Sequence, residues 1–168
     1  MGDFNFIITT DTCCDLPKSY IKENGLDVVT LYYNMKGVAY GKDVELEVKA
    51  FYDMMRAGEM PTTMAANPEE LREMFEKYLK AGKDVLHLAF SSELSSSYSN
   101  AAVVARELNE EYTDNKVVVI DTLSASLGQG LVIYKAVQLR EDGGVLTKWP
   151  GGSRKIDCIF VISLLWMI

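Results

Sequence analysis

Short apolar segments rich in β-branched residues alternate with longer helical segments along this chain, and this alternation restricts the fold more than any other feature. Strands are predicted at Phe4–Thr9, Asp27–Tyr33, Asp84–Phe90 and Lys116–Ile120. Helices are predicted at residues 15–25, 45–57, 67–82, 98–112 and 127–141. Strands that alternate with helices are joined by right-handed crossovers. The sequence therefore predicts an α/β fold with a mainly parallel sheet and helices on both faces.

Local capping signals support several of these helices. The segment Asn67–Glu70 combines an N-cap residue, a proline at the first helical position and an acidic first turn, all of which favour a helix start. Asp15 is predicted to cap the first helix in the same way. The glycine-containing segment 35–44 is predicted to be a turn-rich excursion.

Composition and charge exclude several classes of function. The 168 residues are 48% hydrophobic and carry a formal net charge of −7, so a disordered chain is excluded and nucleic acid is not an expected partner. The first 17 residues lack the basic and apolar regions of a secretory signal, and the three cysteines have no paired spacing. The apolar run Cys158–Ile168 is too short to span a bilayer. We therefore expect a cytoplasmic protein with reduced thiols and no stable membrane insertion.

Hydroxyl-bearing loops follow three of the predicted strands. These loops are residues 9–15, 91–97 and 121–130, and a fourth polar segment at 61–68 precedes the clearest helix. In open α/β sheets ligands bind outside the carboxyl ends of the strands, where these loops would meet. Hydroxyls together with free backbone N–H groups at helix N-termini make a neutral cradle for an anion. Ordinary N-caps prefer the same residue types, so the pattern leaves both interpretations open.

No catalytic residue is predicted, because the sequence lacks a recognisable nucleophile and base. His87 is the only histidine and lies inside an apolar strand, where a packed core residue is expected. A carboxylate cluster of Asp11, Asp15 and Asp121 could hold a hard cation, but such aspartates more often orient loops by accepting backbone N–H bonds. We therefore expect no metal and no other cofactor.

Four segments resemble motifs of a known family. Residues 11–17 (DTCCDLP) are similar to the D-[ST]-x-x-D-[LI]-P motif that opens DegV family proteins, and residues 61–70 to their T-[ST]-x-x-x-P region. Residues 91–101 (SSELSSSYSNA) resemble S-S-x-L-S-G-T-Y-x-[SN]-A, with Ser96 in place of the usual glycine. Residues 121–130 (DTLSASLGQG) resemble D-[ST]-x-x-x-S-x-G-x-G. The motifs occur in the family's order.

The resemblance implies that the chain binds a long-chain fatty acid, with the carboxylate in a hydroxyl-lined site. Thr63 and Ser92 match motif positions that contact the carboxylate in the family. The neighbouring motif positions provide further candidates, which are Thr62, Ser91, Ser95 and Ser126. Several family members present the acid to a fatty acid kinase for acyl-phosphate formation, so such a kinase is the implied protein partner.

Two alternatives to lipid binding remain open at this point. A small serine-dependent α/β hydrolase or acyltransferase would use one of the loop serines as its nucleophile, and acyl-ester turnover that is lost in a Ser92→Ala variant would favour it. A structural interaction module would carry no bound lipid in native mass spectrometry.

The resemblance also predicts the domain organisation. DegV proteins continue into a second domain that covers the acyl chain, whereas the similarity here fades after about residue 144. We expect a DegV-like N-terminal domain at 1–144 and an atypical tail at 145–168, with the second domain largely absent. A frameshift or truncation is the hypothesis for this tail, because a charged helix changes abruptly into an apolar terminus.

Overall fold

The computed structural model describes residues 6–142 of the chain. The elements follow in the order β1 (Phe6–Asp11), α1 (Lys18–Glu23), β2 (Asp27–Val29), β3 (Tyr33–Met35), β4 (Val38–Tyr40), α2 (Val48–Arg56), β5 (Thr62–Thr63), α3 (Pro68–Lys80), β6 (Asp84–Ala89), α4 (Ser97–Glu111), β7 (Val117–Asp121) and α5 (Ser126–Glu141). A 3-10 turn at Thr12–Cys14 follows β1 directly. The predicted tail at 145–168 lies outside the described residues.

The main sheet has four parallel strands in the order β2-β1-β6-β7. The chain starts in the middle of the sheet, moves to one edge through α1, and then crosses over β1 to reach β6 and β7. Each parallel pair requires a crossover connection, and the helices supply these connections. The predicted α/β class with a mainly parallel sheet is confirmed.

Helices cover both faces of this sheet. On one face α1 and α5 pack against alternate strand residues, represented by Ile8, Leu86 and Ile120. On the other face α3 and α4 pack against the intervening residues, represented by Val85 and Val117. Because strand side chains alternate between the two faces, strands buried on both sides have continuous apolar sequences.

A second, antiparallel sheet was not predicted from the sequence. Its strand order is β4-β3-β5, and β3 pairs with both neighbours. The predicted strand Asp27–Tyr33 is therefore wrong as one element, since β2 ends at Val29 and Tyr33 begins a strand of the other sheet. A tight turn at Lys36 and Gly37, both with positive φ, closes the β3–β4 hairpin.

One of the two predicted helix caps is confirmed. The Asn67 side chain accepts a hydrogen bond from the Glu69 amide at 2.8 Å, and α3 begins at Pro68 as expected. Asp15 does not cap α1, which begins at Lys18 after Pro17 without a side-chain cap. Instead, Asp15 adopts a left-handed conformation with φ of 50° at the end of the 3-10 turn.

Candidate binding site

Three loops meet at the carboxyl edge of the main sheet. They follow β1, β6 and β7, which are adjacent and parallel, and the pairing of Thr10 with Leu88 and of Leu88 with Ile120 brings the strand ends level. The juxtaposition predicted from the strand–helix alternation is therefore present.

Asp11 fixes the loop after β1 to the loop after β6. Its Oδ1 accepts hydrogen bonds from the Cys13 amide at 3.0 Å and from Nε2 of Gln129 at 3.1 Å, and its Oδ2 accepts from the Phe90 amide at 2.8 Å. Burial raises the pKa of this carboxyl group, and the three hydrogen bonds act in the opposite direction. Asp11 therefore has the loop-orienting role that was favoured over metal binding.

Asp121 has the same role between the loops after β6 and β7. Its Oδ1 accepts hydrogen bonds from the amides of Ser92 at 3.1 Å and Leu123 at 3.0 Å. The Ser91 amide donates to the Ser124 carbonyl at 3.1 Å, which joins the two loops a second time. Ser92 is thus held in place through its backbone.

The loop 91–97 is tightly wound around Ser91. This buried residue accepts hydrogen bonds at its carbonyl from the amides of Leu94 and Ser95, and at its hydroxyl from the Glu93 amide. The hydroxyls of Ser95 and Ser97 lie 2.9 Å apart within the same loop. This serine-rich segment therefore has a defined shape that its own side chains maintain.

The threonine segment is attached to the same edge. Thr63 pairs with Tyr33 in the second sheet, and three residues later the Ala66 amide donates to the buried Ser97 hydroxyl at 3.1 Å. The Asn100 side chain donates to the Ala66 carbonyl at 2.9 Å. Two hydrogen bonds of Ala66 therefore support the prediction that segment 61–68 lies beside the strand-end loops.

Three further hydrogen bonds close the four segments into a ring, which we call the loop ring (residues 11–15, 61–67, 91–97 and 121–126). The Leu31 amide donates to the Thr12 hydroxyl at 3.0 Å, and the next residue, Tyr32, accepts from the Met64 amide at 2.8 Å. On the other side the Ser126 hydroxyl donates to Asp15 Oδ2 at 2.6 Å. Each segment is therefore linked to its neighbours.

The six predicted site residues fall into two groups within the loop ring. The hydroxyls of Thr62, Thr63 and Ser92 are exposed and make no hydrogen bond within residues 6–142. The hydroxyls of the other three already have partners in the protein, and these residues are Ser91, Ser95 and Ser126. Only the first group combines exposure with a hydroxyl that makes no internal hydrogen bond within the described residues.

The backbone contributes less to the site than the sequence suggested. An anion cradle needs free N–H groups, but many of the loop amides donate to acceptors inside the loop ring. The amides so engaged include those of Cys13, Ser92, Leu94, Ser95 and Leu123. Fewer backbone donors than expected are therefore free, and the exposed side-chain hydroxyls add to those that remain.

Gln129 was not among the predicted site residues, although its side chain donates hydrogen bonds to residues of β1 and β6 next to the loop ring. Its buried side chain donates to Thr10 Oγ1 and Asp11 Oδ1, both at 3.1 Å, and to the Leu88 carbonyl at 3.3 Å. Within residues 6–142 its Oε1 has no hydrogen-bond partner. A buried amide is unusual in a helix, and the flanking glycines Gly128 and Gly130 were the only sequence signal for it.

Gly130 explains how α5 comes so close to the loop after β1. A Cβ atom at this position would lie 2.8 Å from the carbonyl oxygen of Cys14, closer than real Cβ atoms approach backbone. Glycine therefore allows α5 to pack directly on the 3-10 turn and brings Gln129 beneath Asp11.

The histidine is buried, and the thiol of Cys13 is half-buried. His87 is buried in β6, where its Nδ1 is 3.0 Å from the Thr9 hydroxyl, and burial lowers its pKa to about 3. The pKa of Cys13 is raised to about 11 by burial and by nearby carboxylates, so its thiol is protonated at neutral pH. Among the described residues no group of three or more His, Cys, Asp or Glu side chains could hold a metal ion.

None of the four segments of the loop ring contains Lys or Arg. Across residues 6–142 no helix has the length and apolar character needed to cross a membrane. Together with the fold, these features define an α/β protein whose strand-end loops present neutral hydroxyl donors for a polar group.

Comparison with known proteins identifies the family. The family model described as "Uncharacterised protein, DegV family" matches residues 5–148, and a DegV domain-containing protein of Clostridium perfringens is 42% identical over 140 residues. That alignment covers 82% of this chain and 48% of the relative. The chain belongs to the DegV family, as the resemblance of its motifs indicated.

Solved structures with the same fold include fatty-acid-binding members of this family. The structure described as fatty acid binding of a DegV family protein from Thermus thermophilus has a TM-score of 0.78 and 28% identity, over 95% of this chain and 53% of that one. A fatty acid (stearic acid)-binding protein from Eubacterium ventriosum has a TM-score of 0.76 and 26% identity, over 84% of this chain and 49% of that one. The chain spans about half the length of these relatives.

Proposed function

We propose that this protein binds a long-chain fatty acid and that Thr63 and Ser92 hold its carboxylate. The observation that carries the proposal is that the loop ring exposes the hydroxyls of Thr62, Thr63 and Ser92, which have no partner within the described residues. Hydroxyl groups donate strong, short hydrogen bonds to a carboxylate without requiring a cation. Ser91 and Ser95 maintain the shape of the loop that carries Ser92, and Ser126 joins α5 to the loop after β1.

The carboxylate and the acyl chain are expected to contribute unequally to the binding free energy. Neutral donors at an exposed edge contribute modestly to affinity, whereas burying an acyl chain contributes about 0.8 kcal/mol per methylene. The acyl chain therefore supplies most of the affinity, and the hydroxyls fix the position of the head group. The fatty-acid binding described for the Thermus and Eubacterium relatives supports this assignment.

The proposed binding function also suggests a domain organisation and a protein partner. Residues 1–144 are the unit that holds the carboxylate, and a second domain like that expected in the family would cover the chain. We further propose that the bound acid is presented to a fatty acid kinase in the cytoplasm, because a carboxylate at an exposed loop edge is accessible to a second protein.

No observation favours the hydrolase or acyltransferase alternative. The only histidine is buried in β6 beside Thr9, and the Ser92 hydroxyl has no hydrogen-bonded base within the described residues. Turnover of an acyl ester that is lost on Ser92→Ala substitution would nevertheless establish that alternative.

Organic extraction of the purified protein followed by mass spectrometry tests the proposal. We expect a C16 or C18 fatty acid in the wild-type extract. In titrations with stearic acid, Ser92→Ala and Thr63→Val should each weaken binding by about 10-fold or more, since a hydrogen bond to a charged group contributes about 1.5–3 kcal/mol. Ser19→Ala removes an exposed hydroxyl from α1, outside the four segments of the loop ring, and serves as the matched control.

The results have clear opposite outcomes. If the wild-type protein neither carries a fatty acid nor binds added stearic acid, the proposed function is wrong. If stearic acid binds equally well to the wild type, Ser92→Ala and Thr63→Val, then lipid binding stands but the assignment of the carboxylate to these hydroxyls fails.

A further inference from the structure

Leu123 combines two unfavourable features in the loop after β7. Its backbone adopts the left-handed conformation with φ of 49°, and its side chain is 61% exposed. Left-handed backbone is disfavoured for residues with a Cβ atom, and a bulky side chain there is an outlier that points to a functional constraint.

The other left-handed residues that carry a side chain have local explanations. Lys36 lies in the tight turn of the β3–β4 hairpin. Asp15 and Ser126 are polar residues joined to each other by a hydrogen bond of 2.6 Å. Leu123 has neither a hydrogen-bonding side chain nor apolar burial to offset its conformation.

The surrounding loop nevertheless holds Leu123 firmly in place. The Leu123 amide donates to Asp121 Oδ1. The hydroxyl of the preceding residue, Thr122, donates to the Ala89 carbonyl at 2.8 Å and accepts from the amide of the following residue, Ser124, at 3.3 Å. The exposed leucine is therefore presented by a fixed loop.

The position of Leu123 relative to the proposed carboxylate site is defined by one shared acceptor. Asp121 Oδ1 accepts hydrogen bonds from the amides of both Leu123 and Ser92, so the two amide nitrogens are no farther apart than two hydrogen-bond lengths. An exposed apolar side chain thus starts beside a residue whose hydroxyl is free to bind a ligand.

We propose that Leu123 is a positioning residue of the carboxylate site. Its side chain contacts the methylenes next to the carboxylate and shields the hydrogen bond from Ser92 against water. The inference rests on the proposed function and extends it, because it assigns an apolar contact to the head-group end of the ligand. An apolar contact at that point sets the direction in which the acyl chain leaves the loop ring.

The contact has a specific energetic signature. Leu123→Ala and Leu123→Gly should each weaken binding of stearic acid by about tenfold, because they remove the apolar contact. Decanoic acid should lose affinity by the same factor, since both acids have the same methylenes next to the carboxylate. Leu123→Gly should not lower the melting temperature, because glycine adopts positive φ without strain.

The experiment is a titration of the purified full chain with stearic and decanoic acids, by displacement of a fluorescent fatty acid, together with thermal unfolding. Lys36→Gly is the matched control, because it places glycine at another exposed left-handed position that lies outside the loop ring. We expect it to leave both affinities unchanged. A Leu123→Ala variant provides the test if the glycine variant proves unstable.

Three results would overturn the inference. Wild-type affinity in both Leu123 variants refutes the role of this residue while leaving fatty-acid binding intact. A larger loss for stearic than for decanoic acid places the contact farther along the chain. Absence of binding by the wild-type protein refutes the proposed function, and the inference falls with it.

Discussion

His87 gives the protein a stability that depends on pH in a predictable way. The histidine is fully buried, and burial lowers its pKa from 6.5 to about 3. Below pH 6.5 the unfolded chain therefore binds a proton that the folded protein does not bind. The contribution of this histidine to the free energy of unfolding is fully present well above pH 6.5. It falls as the pH drops and stops falling near pH 3.

The size of the effect follows from the pKa difference. Between pH 6.5 and pH 5 the group removes about 2 kcal/mol of stability, since one pH unit corresponds to 1.36 kcal/mol per proton. For a protein of this size, this lowers the melting temperature by about 4–8 °C. The wild-type protein should therefore melt at a clearly lower temperature at pH 5 than at pH 7.

The perturbation is His87→Gln, which keeps a polar side chain near Thr9 but cannot titrate. The variant is expected to be less stable than the wild type at pH 7, because the imidazole packs against Phe75 in an edge contact. Its melting temperature should, however, fall less between pH 7 and pH 5, by the 4–8 °C that the histidine contributes. Circular dichroism melts in steps of half a pH unit measure the difference.

Thr9→Val is the matched control, because it removes the hydrogen-bond partner of the imidazole and leaves the titrating group in place. Its pH dependence should be that of the wild type. Carboxyl groups such as Asp11 are present in all three proteins, so their contributions cancel in the comparison. Equal pH dependence in His87→Gln and the wild type would refute the claim that this histidine is buried and neutral.

Two further predictions concern the support of the loop ring. Gly130→Ala should lower stability by about 1–3 kcal/mol, because its Cβ would lie 2.8 Å from the Cys14 carbonyl oxygen; thermal melts check this, and Gly128→Ala, whose Cβ meets only ordinary contacts, should show no loss. Asp121→Asn weakens the charge-assisted bond from the Ser92 amide by about 1 kcal/mol and should reduce stearic acid affinity about fivefold. Unchanged affinity in that variant would show that the Ser92 loop is held by other contacts.

The strands and helices of the main sheet follow from sequence patterns because their signals are local and agree with one another. In α3 the cap, the proline at its start and the apolar stripe all indicate the same helix. The second sheet was missed because its strands have only two or three residues each. Such short strands are defined by pairing with distant segments, as between Tyr33 and Thr63.

The sequence predicted which loops form the site but not which of their hydroxyls are free. Parallel strands bring their loops to one edge, so the meeting of the serine loop with the loops after β1 and β7 follows from topology. Which hydroxyls remain free does not, because it depends on partners far away in sequence. Ser126, for example, donates to Asp15, and Ser97 accepts from Ala66. The sequence could therefore identify the loops but could not rank the hydroxyls within them.

The proposed function requires an acidic protein to bind an acid. The chain has a net charge of −7, and two carboxylates of the loop ring, Asp11 and Asp121, accept hydrogen bonds from backbone amides. These bonds engage backbone amides of the loops, whereas the hydroxyls of Thr63 and Ser92, to which we assign the carboxylate, have no partner within residues 6–142. Hydroxyl donors attract a carboxylate only at short range, because they carry no net charge. Discrimination between ligands must therefore depend on the acyl chain, and we expect affinity to rise steeply from decanoic to stearic acid wherever the chain is covered.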